Sequence, residues 1–147
     1  MIELVNIEKR FGNKRVLRNI NLNLQEGKVY GLFGPNGVGK TTLLKIMAGY
    51  NKKTSGEYKI NGLDFTYENK DHITFISDKE IFYGWMKIKD AVKYYKDFFT
   101  DFDEEKCLRL VKMMKLEADD KINVLSKGMK ARLKVALAIS RDAKLYL

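Results

Sequence analysis

The chain has little of what staples or punctuates a fold: one cysteine and one proline in 147 residues. A lone Cys107 excludes an internal disulfide and fits a reducing compartment. It sits among apolar neighbours in a predicted helix and reads as a core thiol. With one proline and eleven scattered glycines, the composition excludes collagen-like and low-complexity architectures. No run approaches the roughly 20 apolar residues that cross a bilayer. The opening MIELVNIEKRF alternates apolar and polar positions where a signal peptide would carry an apolar core. The expectation is a soluble, cytoplasmic chain that meets a membrane only through a partner.

What is present is ordinary for a folded domain, with 45% hydrophobic and 32% charged residues. The length is enough for one hydrophobic core. The formal net charge of +9 suits nucleic acid, anionic lipid or phosphorylated ligands. It equally suits a lysine-rich solvated surface, or a fragment separated from an acidic stretch.

Patterning divides the chain into strands first and helices later. Residues 2–24 read as two strands about a Gly12-Asn13 turn. Lys28–Phe33, an apolar run between Gly27 and Gly34, predicts a buried strand, and Thr41–Ala48 a helix stopped by Gly49. Glu57–Ile60 with Asn61-Gly62 suggests a hairpin, and His72–Ile76 another short strand that holds the sole histidine. Ile88, Ala91, Val92, Tyr95, Phe98 and Phe99 recur at helical spacing. Asp101 with Glu104 marks a second helix start, whose stripe is Cys107, Leu108, Val111 and Met114. Ser126 opens a third helix to about Ser140, with Met129, Leu133, Ala136, Leu137 and Ser140 on one tight face. Lys144–Leu147 is again β-prone.

The strongest chemical signal is Gly34-Pro35-Asn36-Gly37-Val38-Gly39-Lys40-Thr41, which fits G-x-x-x-x-G-K-[ST] at every fixed position. Glycines let the backbone curl so that successive N–H groups point at a β-phosphate. The following helix adds its positive end. Lys40 would stand between β- and γ-phosphates, and the Thr41 hydroxyl can ligate Mg²⁺. The loop, with Thr42 beside it, therefore predicts ATP and Mg²⁺ as ligands. A chance match is disfavoured by the apolar strand before it and the apolar helix after it.

With three further features the whole length resembles the ATP-binding subunit of a bacterial ABC transporter. Lys9-Arg10-Phe11-Gly12, with Val16-Leu17 and Ile20-Asn21-Leu22, is similar to the family's N-terminal β-subdomain. Phe11 stands where the family's adenine-stacking aromatic stands; otherwise it is a core residue at a strand end. Phe75-Ile76-Ser77-Asp78, followed by Phe82, Met86, Ile88 and Asp90, resembles the Q-loop. There Asp78 replaces the usual glutamine, as a ligand of Mg²⁺ or water, or as a turn residue. Tyr83, Trp85 and Met86 either dock a permease or cover the helical core. Leu125-Ser126-Lys127-Gly128-Met129 resembles LSGGQ, with Lys127 and Met129 as departures. Ser126 at a helix start is an anion site facing ATP held by another subunit, or a plain N-cap.

The resemblance implies an α/β fold: a RecA-like P-loop NTPase core with an N-terminal antiparallel β-subdomain and an α-helical signature subdomain. One nucleotide-binding domain is expected. Residues 1–77 carry the β-subdomain and Walker A, 78–140 the Q-loop and helical subdomain, and 141–147 the start of the Walker B strand. The family's Walker B aspartate, catalytic glutamate and switch histidine have no counterparts here. The reading is an incomplete cassette that binds ATP weakly without hydrolysing it, so no catalytic residue is assigned. The implied partners are a second cassette, identical or not, and a membrane permease of export type, to judge by the SKGM variant. Such a chain lies against the inner face of the cell membrane without direct nucleic-acid contact. A non-transport relative acting on ribosome or nucleic acid is the alternative, although no heptad tract lies between Lys40 and Ser126.

Overall fold

The computed structural model describes residues 1–77, Lys79 and 82–147, with the backbone alone for Tyr67. Asp78 lies outside the described residues. The described chain forms two compact units, Met1–Lys70 and Asp71–Leu147.

The first unit is built on β1 (Ile2–Phe11), β2 (Lys14–Leu24), α1 (Lys40–Met47), β3 (Ser55–Ile60) and β4 (Leu63–Asp64). The strands form one antiparallel sheet in the order β2-β1-β3-β4. Alternation in β1 buries Ile2, Leu4 and Ile7 on one side. The β1 register slips around Asn6, which takes φ +51°. Opposite it Gly56 holds φ +94°, and a Cβ there would meet the Asn6 carbonyl oxygen at 2.4 Å. The bulge therefore requires glycine on its partner strand. Asn61 and Gly62, both with positive φ, make the expected β3–β4 turn. α1 buries Leu43, Ile46 and Met47. Its end is pinned to β3 where the buried Tyr58 hydroxyl donates to the Met47 carbonyl at 2.8 Å.

Lys28–Phe33 differs from expectation. It pairs with no strand among the described residues, and Val29 (101% exposed) and Phe33 (91%) face solvent. A central strand is buried by neighbours on its edges and layers on its faces. Apolar sequence expresses the capacity for that burial and supplies neither neighbour nor layer.

The second unit contains β5 (Ile73–Thr74), α2 (Ile88–Phe98), α3 (Glu104–Met113), α4 (Lys127–Ile139) and β6 (Leu145–Tyr146). The three helices enclose a core that includes Ile88, Val92, Cys107, Val111, Leu133 and Leu137. β5 and β6 pair in parallel, and the ladder is extended by Lys144 N donating to the His72 carbonyl at 2.8 Å. His72 itself ends a short 3₁₀ turn, Tyr67–His72. α3 is capped by Asp103, which accepts from Lys106 N at 2.8 Å. The expected start at Asp101 is displaced because that carboxylate holds Arg141 at 3.0 and 3.1 Å. Phe98 and Leu108, expected on core stripes, are exposed. Each lies one step round its helix from residues that do the packing, since 100° per residue shifts the stripe.

Candidate functional site

The glycine loop lies in the first unit, between exposed residues 28–33 and α1. Gly34, Gly37 and Gly39 take φ of +153°, +80° and +108°, a curl that residues with a Cβ rarely adopt. Gly39 is also the N-cap of α1 and caps it without a side chain. A Cβ on Gly39 would meet Leu17 Cδ2 at 2.8 Å and the Val16 carbonyl oxygen at 3.2 Å. The loop thus closes directly onto β2, and the helix begins at that contact.

Lys40 turns back into the loop. Its Nζ donates to the carbonyls of Gly34 at 2.6 Å and Pro35 at 2.8 Å. A cation is therefore already seated at the loop's opening, where the first-turn amides of α1 lack intrahelical acceptors. Pro35, Asn36, Gly37 and Val38 are exposed, Thr41 is exposed, and Thr42 is half-buried. Phe11 ends β1, half-exposed, with Lys9 Nζ 4.6 Å from its ring centroid. Its ladder partner is Lys14, two residues before the Val16-Leu17 segment that receives Gly39. The turn end of the β1–β2 pair therefore carries both the aromatic and the seat of the loop.

The remaining candidates lie in the second unit. Ser126 is the N-cap of α4, and its Oγ accepts from Met129 N at 3.2 Å. Lys127 and Gly128 are exposed, a Cβ at Gly128 would meet nothing within 4 Å, and Met129 leans on the helical core. The first turn of α4 contains no acidic residue. Phe82 and Met86 are buried, whereas Tyr83 (68% exposed) and Trp85 (70%) stack on each other in solvent at 5.9 Å. Of Tyr83, Trp85 and Met86, only Met86 covers the core.

Sequence reasoning missed Lys134. From the middle of α4 its Nζ donates to the carbonyls of Ser77 at 3.1 Å and Lys79 at 2.6 Å. A lysine in an otherwise apolar helical stretch reads as a solvated side chain, so only the fold reveals it. Arg141 was also missed. It is buried, bonded to Asp101 and to the Asp71 carbonyl at 2.5 Å, and its guanidinium lies 4.0 Å from the Phe99 ring centroid.

A model of the ABC transporter family matches residues 17–147. The chain belongs to the ABC transporter family. Over its full length this cassette is similar, at 32% identity, to the lantibiotic transport ATP-binding protein SrtF of Streptococcus pyogenes, of which it covers 65%. It is likewise similar, at 32%, to the spermidine/putrescine import ATP-binding protein PotA of Mesoplasma florum, of which it covers 44%. Among solved structures, a putative ABC transporter ATP-binding protein of Pyrococcus furiosus superimposes with TM-score 0.87 at 26% identity. That match covers 99% of this chain and 72% of the other. The ATP-binding cassette MJ0796, solved as a dimer bound to ADP and Pi, gives TM-score 0.82 at 26% identity with the same coverage. The chain has the ABC ATPase fold, a P-loop NTPase with an N-terminal antiparallel sheet, and spans part of its relatives' length. No helix among the described residues is long and apolar enough to cross a membrane.

Proposed function

We propose that this chain is the ATP-binding part of an ABC transporter motor. In this reading Gly34–Thr42 holds the phosphates, Phe11 takes the adenine face, and Ser126–Met129 meets nucleotide held by a second cassette. The observation that carries the reading is Lys40 seated within the glycine loop. Binding exchanges its two carbonyl acceptors for phosphate oxygens, which form stronger, charge-assisted hydrogen bonds. The loop's positive-φ curl and the start of α1 offer amides to the same anion.

Mg²⁺ fits this donor set in one way. Among the described residues no three His, Cys, Asp or Glu side chains gather. The exposed Thr41 hydroxyl is a hard oxygen donor suited to an ion that arrives with phosphate and water. Asp78 is proposed as a second oxygen donor on sequence position alone. When bound, Mg²⁺ would supply charge neutralisation on the phosphates. The residues of this chain orient the nucleotide and shield one side of it.

The proposed assembly pairs two cassettes beneath a membrane permease, with the permease choosing the cargo. MJ0796 as a dimer supports the first part and the transport relatives support the second. The reading assigns no general base to this chain, and in it the chain holds ATP without turning it over. Calorimetric titration with ATP and Mg²⁺ tests binding. Lys40→Ala should weaken it at least about 10-fold, as loss of a charge-assisted contact implies. Equal affinity of the two proteins would defeat the reading. Lys40-dependent phosphate release by the unsubstituted chain would defeat the claim of binding without turnover.

A further inference from the structure

Lys134 departs from the use most surface lysines make of their charge. Its ammonium donates to two main-chain carbonyls, those of Ser77 and Lys79. These residues lie 57 and 55 positions earlier in the chain and flank position 78. The same short segment is shaped from within, where Lys79 N donates to Ser77 Oγ at 3.2 Å. On the helix side, Lys134 follows the fully buried Leu133 and precedes the fully buried Ala136 and Leu137. Its half-buried stem therefore starts from a rigid, packed stretch of α4.

α4 is a continuous helix of 13 residues with Ser126 as its N-cap. A helix rises about 1.5 Å per residue, so Lys134 stands about 12 Å from Ser126 along a stiff rod. One element thus carries the Ser126–Met129 turn at its end and grips the main chain on both sides of position 78 from its middle. A carbonyl pair has no titration of its own, and two acceptors fix direction as well as distance.

We infer that Lys134 is a positioning residue: it clasps the main chain at Ser77 and at Lys79 to α4, so that displacement of those residues is felt at Ser126–Met129. The inference rests on the proposed role of Ser126–Met129 for its value to the ATP reaction, but the clasp itself requires no nucleotide. The clasp would make one motion of two segments that sequence places far apart. The grip comes from α4, whose interior lysine replaces nothing that the core needs.

Hydrogen exchange of the full chain without nucleotide tests this, comparing Lys134→Met and Lys134→Arg with the parent. Loss of two charged hydrogen bonds should speed exchange of the Ser77 and Lys79 amides at least about 10-fold. Exchange at Lys127–Met129 should rise as well, while α3 stays unchanged. Arginine, which can also serve two carbonyls, should restore both segments. Acceleration at 77–79 alone overturns the inference by reducing Lys134 to a local tie. No change at either segment overturns it, and so does uniform acceleration across the second unit, which would make Lys134 a fold residue. Because nucleotide is absent, failure of the ATP-binding reading appears in the Lys40 titration and not here.

Discussion

At the residue scale, Arg141 and Asp101 form the most deeply buried ion pair among the described residues of the second unit. The guanidinium is buried, and its donors reach a carboxylate, a carbonyl and a ring face. Removing one partner of such a pair leaves the other charge uncompensated. Asp101→Ala should cost about 2–4 kcal/mol in urea unfolding. Asp103→Ala removes only the N-cap of α3 and should cost about 1 kcal/mol. Equal losses would show that the cap and the ion pair had been assigned wrongly. Cys107 gives a pH prediction. Burial pushes its thiol from 9.0 up to about 11, so the folded chain keeps a proton that the unfolded chain releases. Its contribution to stability is full below pH 9 and is lost as pH rises toward 11. Cys107→Ala should make unfolding less sensitive to pH across that window. At pH 8, iodoacetamide should label Cys107 in urea far faster than in buffer.

At the element scale, the β1–β3 pairing depends on a glycine that composition alone would not single out. Gly56→Ala forces a Cβ against Val5 and Asn6 carbonyl oxygens at 2.6 and 2.4 Å in a positive-φ backbone. It should destabilise the chain by at least about 2 kcal/mol, read as a lower urea midpoint. Gly12→Ala places its Cβ in open space at φ +55°, a value that Asn19 and Lys115 come close to, and should cost less. The elements most legible in sequence were those whose signals are local. The β1–β2 pair, the Asn61-Gly62 turn, α1 after its loop and α4 behind Ser126 all carry their own punctuation. Lys28–Phe33 was misread because its burial depends on partners distant in sequence. The Asp101 start failed because two acidic residues compete for one cap, and Arg141, 40 positions later, decides which is free. The phosphate loop was legible as a fixed spacing. Lys134 was not, since its acceptors are carbonyls that every residue possesses.

At the scale of the whole molecule, exposed apolar residues set the chain's solution behaviour. Val29, Tyr30, Leu32 and Phe33 present a continuous exposed stretch without ladder partners among the described residues. Unpaired apolar strands favour association. Sedimentation should show concentration-dependent self-association, and Val29→Thr with Phe33→Ser should reduce both it and binding of an anilinonaphthalene dye. A monodisperse parent, unchanged by the double substitution, would refute this. The net charge of +9 opposes association at low ionic strength, so added salt should promote it.

The stacked ring of Trp85 also governs what an optical experiment on this chain can see. It is the only tryptophan, sits in solvent against Tyr83, and belongs to the unit from Asp71 to Leu147. Tryptophan emission therefore originates in one unit, while the antiparallel sheet and the phosphate loop belong to the other. Far-ultraviolet dichroism, by contrast, sums the backbone of both. If the two units melt independently, the two signals will trace different curves for the same sample. A denaturation followed by emission alone would return one unit's stability under the name of the whole protein's.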